Sequence, residues 1–273
     1  MSPERPVSLV ISDVDGTLVT RDKVLTPRTV AAVERLHRHG VAFSICSSRP
    51  PFGLRMMIEP LRLQLPFGGY NAGSIVEPGP DLTPVEQRLI PPDAARDAVE
   101  VFRRHRVDCW VFTGNQWLIA NPEGAHVAHE THTIRTPPTI VPEFEDAHFA
   151  AVGKIVGPSD DHALVARLTD LLQGQLAGRA NVARSQAYYC DVIPPGVDKG
   201  RIVQLLSERL GVPRREILVL GDMENDLEMF RQAGFAVAMG NASEEVKRVA
   251  DAITLSNEED GLAAAIDRYV FGD

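Results

Sequence analysis

The sequence has few cysteines, few aromatic residues and no long apolar run. Its three cysteines, Cys46, Cys109 and Cys190, lie far apart and form no CxxC pair, which argues against a disulfide framework. No stretch approaches ~20 consecutive apolar residues, so we expect no transmembrane helix. The first eleven residues also lack the apolar centre of a signal peptide. These absences predict a cytoplasmic protein.

An excess of positive charge is also absent, since the formal net charge is −9. This balance argues against a nucleic-acid partner and against an anionic membrane surface, both of which favour a basic face. It leaves room for an anionic small-molecule substrate, because a bound cation can reverse the sign of the potential inside a cleft. With 273 residues, 44% hydrophobic and 24% charged, the composition is that of a globular protein with one large or two modest domains.

Strands and helices alternate in the first and last parts of the chain. The apolar runs 7–11 and 41–47 flank an amphipathic pattern that begins at Thr26-Pro27 and ends at Gly40, and a helix of about two turns is predicted over 52–59. The same alternation returns after residue 195. We therefore predict an α/β fold with a doubly wound, mostly parallel (Rossmann-like) core sheet.

The middle of the chain has a different pattern. Two apolar runs joined by Thr113-Gly114-Asn115 predict a β-hairpin, and further strands alternate with two amphipathic helices. This order is typical of an antiparallel α+β module inserted into the core. The predicted division is 1–81 and 195–273 for the catalytic core, and 82–194 for an inserted α+β cap that selects the substrate.

Acidic residues follow two of the predicted core strands. Asp13 and Asp15 follow the first strand, and Asp222 and Asp226 follow a later one. Ligands of open α/β sheets bind beyond the carboxyl ends of the strands, so these side chains are expected at one edge. Carboxylates that converge repel one another unless a cation compensates them. Mg²⁺ is the expected cofactor, because it takes carboxylate oxygens, water and substrate phosphate as ligands.

Other polar residues at the same strand ends suit a phosphate group. The turn that contains Gly16 and Thr17 can offer backbone N–H groups to phosphate oxygens. Ser47 offers a hydroxyl group after the second strand. Lys199 offers a positive charge at the start of a helix, where anions already bind favourably.

Four short motifs carry a family resemblance. They resemble, in chain order, the four motifs of the haloacid dehalogenase superfamily. The motifs are "DVDGT" (13–17), "SSR" (47–49), the lysine of "VDKG" (197–200) and "GDMEND" (221–226). The large insert and "MGNA" (239–242) resemble its Cof-type branch of phosphatases. The resemblance implies an Mg²⁺-dependent phosphatase that hydrolyses small phosphate monoesters, such as sugar phosphates or phosphorylated cofactors, through an aspartyl-phosphate.

The resemblance also implies roles for the acids. Asp13 would be the nucleophile, and Asp15 would protonate the leaving oxygen and later deprotonate the hydrolytic water. Asp13, the main-chain carbonyl of Asp15, and Asp222 would bind Mg²⁺, and Asp226 would support or join these ligands.

The remaining candidates divide into phosphate-binding residues and residues that contact the substrate or support the site. The first group is Gly16, Thr17, Ser47, Ser48 and Lys199, and the second is Arg49, Asn71 and Asn225. Two departures from the family pattern stand out. Ser48 occupies a position that is usually glycine, and Ala72-Gly73 follows Asn71 where the family favours Gly-Ala.

Other interpretations of these residues stay open. Ser47 and the acids of "GDMEND" also suit helix caps, and Lys199 suits an ordinary surface lysine. The same site could serve a phosphomutase or phosphotransferase, or a non-catalytic phosphate sensor, and a purely structural protein would leave the strand-end acids unexplained. Nothing in the sequence predicts an oligomeric state.

Three histidines form a separate pattern in the insert. His126, His129 and His132 have helical spacing, which a zinc site would use, but neither a fourth ligand nor the HExxH order is present. We therefore predict a solvated helix here. The tryptophans and Tyr188-Tyr189 are expected in the core or on a sheet face of the same insert.

Overall fold

The computed structural model describes Pro3 and residues 6–273, which form two compact units. The first unit contains the described residues up to Ser48, together with Arg55–Val85 and Asp198–Asp273. The second unit contains Arg49–Leu54 and Glu86–Val197. Their roles as catalytic core and specificity cap stay predictions.

The strands of the described residues are numbered in chain order. They are β1 (Leu9–Ser12), β2 (Ala42–Ile45), β3 (Phe67–Gly69), β4 (Ser74–Val76), β5 (Pro84–Gln87), β6 (Trp110–Thr113), β7 (Gln116–Ile119), β8 (Thr139–Ile140), β9 (Val152–Pro158), β10 (Asn181–Gln186), β11 (Tyr189–Ile193), β12 (Ile217–Gly221), β13 (Phe235–Ala238) and β14 (Ala252–Ile253).

The α-helices are numbered in the same way. They are α1 (Pro27–Arg38), α2 (Arg55–Ile58), α3 (Pro92–Arg104), α4 (Val127–Ile134), α5 (His162–Gln175), α6 (Gly200–Leu210), α7 (Leu227–Gln232), α8 (Glu244–Val249) and α9 (Gly261–Ile266).

The main sheet of the first unit has the strand order β14-β13-β12-β1-β2 in the described part of the chain. Every neighbouring pair is parallel. The chain passes from β1 to β2 on one side and later from β12 to β13 on the other, so the direction of strand order reverses between β1 and β12. This is the switch point at which doubly wound sheets bind ligands, and the predicted α/β fold is confirmed.

The local sequence explains why these elements form. The β1 residues are all buried, as expected for a parallel strand covered on both faces. Helix α1 begins where predicted, because the Thr26 side chain accepts a hydrogen bond from the Thr29 backbone N–H and Pro27 occupies the first turn. Its Val33 and Leu36 are fully buried.

The second unit is built on a mostly antiparallel sheet with the order β10-β11-β9-β6-β7-β8 in the described residues. The predicted hairpin is present, with Trp110 paired with Ile119 and Thr113 paired with Gln116. Alternate residues of the sheet, including Val111, Leu118 and Ile155, join residues of α3 and α5 in one apolar cluster. The unit therefore has a core of its own.

Two features of the first unit depart from a simple alternation of strands and helices. Strand β3 pairs with β4 in a separate small sheet and meets the parallel sheet only through the bridge between Cys46 and Gly68. The helix predicted over 52–59 is a 3₁₀ turn, Pro51–Leu54, followed by the short α2. The absence of a side chain on Gly53 allows the 3₁₀ turn to approach Ile134 in α4, because a Cβ atom on Gly53 would lie 2.9 Å from the Ile134 Cβ.

None of the helices in the described residues combines the length and the apolar character that crossing a bilayer requires.

Candidate active site

The predicted acids meet at the switch point of the first unit. Asp13 directly follows β1, and its backbone N–H donates to the Leu220 carbonyl of β12 at 2.9 Å. Asp222 directly follows β12. Because the two strands are adjacent and parallel, in register from Leu9–Ile217 to Ser12–Leu220, their carboxyl ends bring these carboxylates together.

A buried lysine joins two of the acids. The Lys199 ammonium group lies 2.5 Å from Asp13 Oδ1 and 2.6 Å from Asp226 Oδ1. Lys199 is 1% exposed and Asp226 is fully buried. An ordinary surface lysine is therefore excluded, and the predicted convergence of Asp13, Lys199 and Asp226 is present.

Asp226 also shapes the loop after β12. Its Oδ2 accepts hydrogen bonds from the backbone N–H groups of Asp222 and Met223, at 2.9 and 3.0 Å. One carboxylate oxygen thus holds the loop while the other holds Lys199. The Asp226 side chain makes no capping hydrogen bond to the following helix α7, so the helix-capping interpretation does not describe its role there.

Asp222 is held by side chains from two other loops. The Thr17 hydroxyl donates to its Oδ1 at 3.3 Å, and the Asn241 side-chain amide donates to its Oδ2 at 3.2 Å. Asn241 also donates to the Gly16 carbonyl at 2.9 Å. Asn241 belongs to the "MGNA" segment, but sequence reasoning did not place it among the site residues.

Burial changes the proton affinities of these groups. Desolvation raises the pKa of Asp13 well above its ordinary value, although Lys199 opposes the shift. Desolvation, together with the charge of Asp226, raises the pKa of Asp222 to about 7. Burial alone would lower the pKa of Lys199, but the charges of Asp13 and Asp226 outweigh it and raise the pKa.

The donor set fits a divalent cation. Carboxylate oxygens of Asp13, Asp222 and Asp226 lie within 4.8 Å of one another. When all three carboxylates are ionised, they and the Lys199 ammonium group carry a net charge of −2, which a divalent cation neutralises. Oxygen donors of this kind match the preference of Mg²⁺.

Gly16 allows the turn after β1 to pass close to Asp222. Its φ is +82°, a conformation that favours glycine, and a Cβ atom there would lie 2.2 Å from Asp222 Oδ2. The turn therefore packs its backbone against Asp222, and its phosphate-binding role stays a prediction.

Ser47 lies two residues beyond the end of the neighbouring strand β2. The Cys46 N–H donates to the Ser12 carbonyl at 2.9 Å, which keeps the end of β2 beside the end of β1. Ser47 is buried and Ser48 half-buried. The Ser47 N–H donates to the Gly68 carbonyl, and its own carbonyl accepts from the Asn71 N–H, each at 2.9 Å.

The segment Tyr70–Ala72 adopts an unusual backbone. All three residues have positive φ, from 52° to 62°, and Ala72 stands where the resemblance favours glycine. Such strain persists only where surrounding contacts enforce it. The Arg201 guanidinium donates to the Ala72 carbonyl at 2.6 Å, and the Asn225 side-chain amide donates to Asn71 Oδ1 at 3.0 Å. Asn71 and Asn225 thus support each other.

Arg49 differs from the other candidates. It belongs to the second unit, is buried, and donates from Nη1 to the Thr133 carbonyl in the last turn of α4 at 2.6 Å. The guanidinium is therefore engaged with a helix C-terminus, where a positive charge is favourable. Its expected contact with substrate stays a prediction, and sequence reasoning missed this structural partner.

Asp15 is more exposed than the buried cluster, and a second basic residue reaches it. The Lys23 ammonium group lies 2.7 Å from Asp15 Oδ1. Sequence reasoning did not single out Lys23, because a lone lysine in a polar turn carries no distinguishing signal.

The histidine segment of the second unit contains no metal cluster among the described residues. His126 precedes α4 and stacks on Tyr188 with ring centroids 4.1 Å apart, while His129 and His132 are exposed. Trp110 and Trp117 are buried, as expected. Burial also raises the pKa of Cys46 to about 12, consistent with a core thiol.

Comparison with known proteins identifies the family. The family model for haloacid dehalogenase-like hydrolases matches residues 10–266, which include every motif that forms the acid cluster. A solved structure of a haloacid dehalogenase-like hydrolase from Bacteroides thetaiotaomicron has a TM-score of 0.90 and 29% identity, with 96% of this chain and 99% of that chain covered.

Similar curated proteins have phosphatase names. An HMP-PP phosphatase from Cronobacter sakazakii is 31% identical over 231 residues, which cover 84% of this chain and 83% of the relative. A 5-amino-6-(5-phospho-D-ribitylamino)uracil phosphatase from Bacillus subtilis is 26% identical over 263 residues, with 96% and 97% covered. The similarity extends over both units.

Proposed function

The chain belongs to the haloacid dehalogenase-like hydrolases, and we propose that, as a phosphatase, it hydrolyses small phosphate monoesters through a covalent intermediate on Asp13 with Mg²⁺ as cofactor. Sugar phosphates and phosphorylated cofactors are the proposed substrates. The observation that carries this proposal is the buried cluster in which Lys199 bridges Asp13 and Asp226 beside Asp222.

Asp13 is the proposed nucleophile. One of its carboxylate oxygens forms a bond to phosphorus while the bond between phosphorus and the ester oxygen breaks. Asp15 gives a proton to the departing oxygen, which leaves as an alcohol. Water then attacks the phosphorus of the aspartyl-phosphate, Asp15 accepts a proton from that water, and inorganic phosphate leaves with Asp13 regenerated.

Other residues bind and orient the phosphoryl group. Lys199 supplies a positive charge and Ser47 supplies a hydroxyl group. The turn at Gly16 and Thr17 supplies backbone N–H groups. Ser48, next to Ser47, belongs to the same proposed phosphate site. Fixed donors of this kind stabilise charge that develops on the transferring group. Bound to Asp13, the Asp15 carbonyl and Asp222, with Asp226 in support, Mg²⁺ would neutralise charge on the phosphoryl oxygens.

The insert is proposed to choose the leaving group. Residues 82–194 would act as a lid that keeps water from the reacting atoms and opens to release product. The phosphatases of known name that resemble this chain act on different phosphorylated compounds, which supports a shared reaction centre with a variable specificity region.

The test is phosphate release from a panel of small phosphate esters. Wild-type protein is expected to release phosphate in the presence of Mg²⁺, and this release should cease when a chelator is added in excess. Asp13→Asn should reduce kcat at least about 10³-fold, because the nucleophile is removed. Asp22→Asn is the matched control, since Asp22 is an exposed carboxylate nearby in the chain, and it should retain wild-type activity.

The outcomes separate the alternatives. Release by Asp13→Asn at the wild-type rate would reject the covalent mechanism. Ester consumption with transfer of phosphate to a second organic product would indicate a phosphotransferase or phosphomutase. Tight ligand binding with no turnover of any ester would indicate a sensor.

A further inference from the structure

We propose that Lys23 is a positioning residue that holds the carboxylate of Asp15 for proton transfer. The inference rests on the proposed function, because it assigns Lys23 a purpose in the step that Asp15 performs. Its first support is the ion pair itself, in which Lys23 Nζ lies 2.7 Å from Asp15 Oδ1. The side chains are 18% and 30% exposed, so both are partly shielded from water.

The backbone of the intervening segment is built to bring Lys23 to Asp15. Asp15 forms a β-bridge with Val19, and the Thr20 N–H donates to the Val24 carbonyl at 3.1 Å. The Lys23 N–H donates back to the Thr20 carbonyl at 2.9 Å. The chain therefore leaves the acid, turns within eight residues, and returns with Lys23 beside it.

Lys23 occupies a strained position in this turn. Its φ is +61°, in the left-handed region that favours glycine. Glycine would form the same turn without this strain, so the turn alone does not account for a lysine. A side chain that is kept at a strained position is a reason to look for a function for that side chain.

The ion pair restricts the rotation of the Asp15 side chain. An aspartate at the edge of a cleft can rotate about two side-chain bonds, and only some orientations point a carboxylate oxygen toward the leaving group. A cation bound to Oδ1 limits this rotation. Because a displacement of about 1 Å can lower the rate about a hundredfold, fixing the acid favours turnover without any contact between Lys23 and the substrate.

Arg62 provides a matched comparison within the first unit. It too is basic, has a positive φ of 47°, donates its N–H to the carbonyl three residues earlier, and reaches an acid, Glu34, at 3.7 Å. However, the Arg62 and Glu34 side chains are 71% and 47% exposed, and neither belongs to the acid cluster. Removing either ion pair should have little effect on stability, so a measurement of stability does not separate a positioning role from an ordinary ion pair.

The experiment compares Lys23→Met, Lys23→Arg and Arg62→Met with wild type at saturating Mg²⁺. Lys23→Met is expected to lower kcat about tenfold to a hundredfold while KM changes by less than about twofold. Lys23→Arg should recover most of the kcat, because it restores a cation. Arg62→Met should match wild type.

Crystal structures of wild type and Lys23→Met provide a readout that does not depend on turnover. The Asp15 carboxylate is expected to move or to lose its single orientation in the variant. An unchanged kcat, an Lys23→Arg variant as slow as Lys23→Met, or an unmoved Asp15 carboxylate would each overturn the proposal. If wild type releases no phosphate from any ester, the proposed function fails, and the position of Asp15 still decides whether Lys23 holds it.

Discussion

The pKa of Asp222 is a property of the site that a stability measurement can test. Burial and the charge of Asp226 raise this pKa from an ordinary 3.8 to about 7. At pH values between 3.8 and about 7, Asp222 is protonated in the folded protein and ionised in the unfolded chain. In the absence of metal, this residue therefore stabilises the fold at low pH, and the contribution is lost as the pH rises through about 7.

We predict that the free energy of unfolding in chelator decreases from about pH 4 to about pH 7, by up to ~1.4 kcal/mol per pH unit from Asp222. Asp222→Asn should remove this part of the slope and be more stable than wild type above about pH 7, because a buried charge is absent. Urea denaturation across this pH range measures both. Parallel curves for the two proteins would contradict the assignment.

Single residues also mark where sequence reasoning succeeded and where it missed. Asp13, Asp222 and Asp226 were recognised because their motifs follow strands whose ends must align, and Lys199 was recognised because it opens a helix within a motif that resembles the family's. Asn241 and Lys23 were missed, since their importance comes from an acid that each contacts across the fold rather than from a motif around them.

The turn that follows β1 is the element on which the site depends most. Gly16 combines a positive φ with a backbone so close to Asp222 that no side chain fits. Gly40, after α1, has a similar φ of +73° but nothing within 4 Å of the place where its Cβ would lie.

We therefore predict different costs for the same substitution in these two turns. Gly16→Ala should lower the free energy of unfolding by about 2–4 kcal/mol, from backbone strain and overpacking together, and should weaken Mg²⁺ binding. Gly40→Ala should cost only about 1 kcal/mol and leave Mg²⁺ binding unchanged. Denaturation and isothermal titration with Mg²⁺ measure these effects, and equal costs for the two variants would show that Asp222 does not restrict the turn.

Segment 49–54 shows how tertiary contacts override a local pattern. The sequence predicted one helix over 52–59. However, the Phe52 ring stacks near that of Phe112, and Arg49 donates to the Thr133 carbonyl. Residues 49–54 therefore group with the second unit. The following residues, Arg55–Ile58, belong to the first unit. The helix pattern is therefore interrupted where the chain passes from one unit to the other.

At the scale of the whole molecule, each of the two units has an apolar cluster of its own among the described residues. The cluster that includes Leu9, Val219 and Ala236 belongs to the first unit, and the cluster that includes Phe102, Val111 and Leu168 belongs to the second. The acid cluster lies in the first unit, whereas both tryptophans of the sequence, Trp110 and Trp117, lie in the second.

This separation predicts a distinct response to Mg²⁺ during thermal unfolding. The far-UV circular dichroism transition should shift to higher temperature, because the ion stabilises the folded state of the unit that binds it. The transition measured by tryptophan fluorescence should shift less, because it reports on the other core. Equal shifts for both signals would instead indicate that the two units unfold as one.

The amino-acid sequence by itself determined the alternation of strands and helices, the inserted α+β segment and the identity of the acids at the strand ends. These features depend on short-range patterns of apolar residues, caps and turns, which act within a few residues. Only the tertiary structure decided that Lys199 bridges Asp13 and Asp226, that Asn241 holds Asp222, and that Arg49 groups with the second unit. Lys199 and Asp13 are 186 positions apart, so their contact depends on strand order and register, which no local pattern specifies.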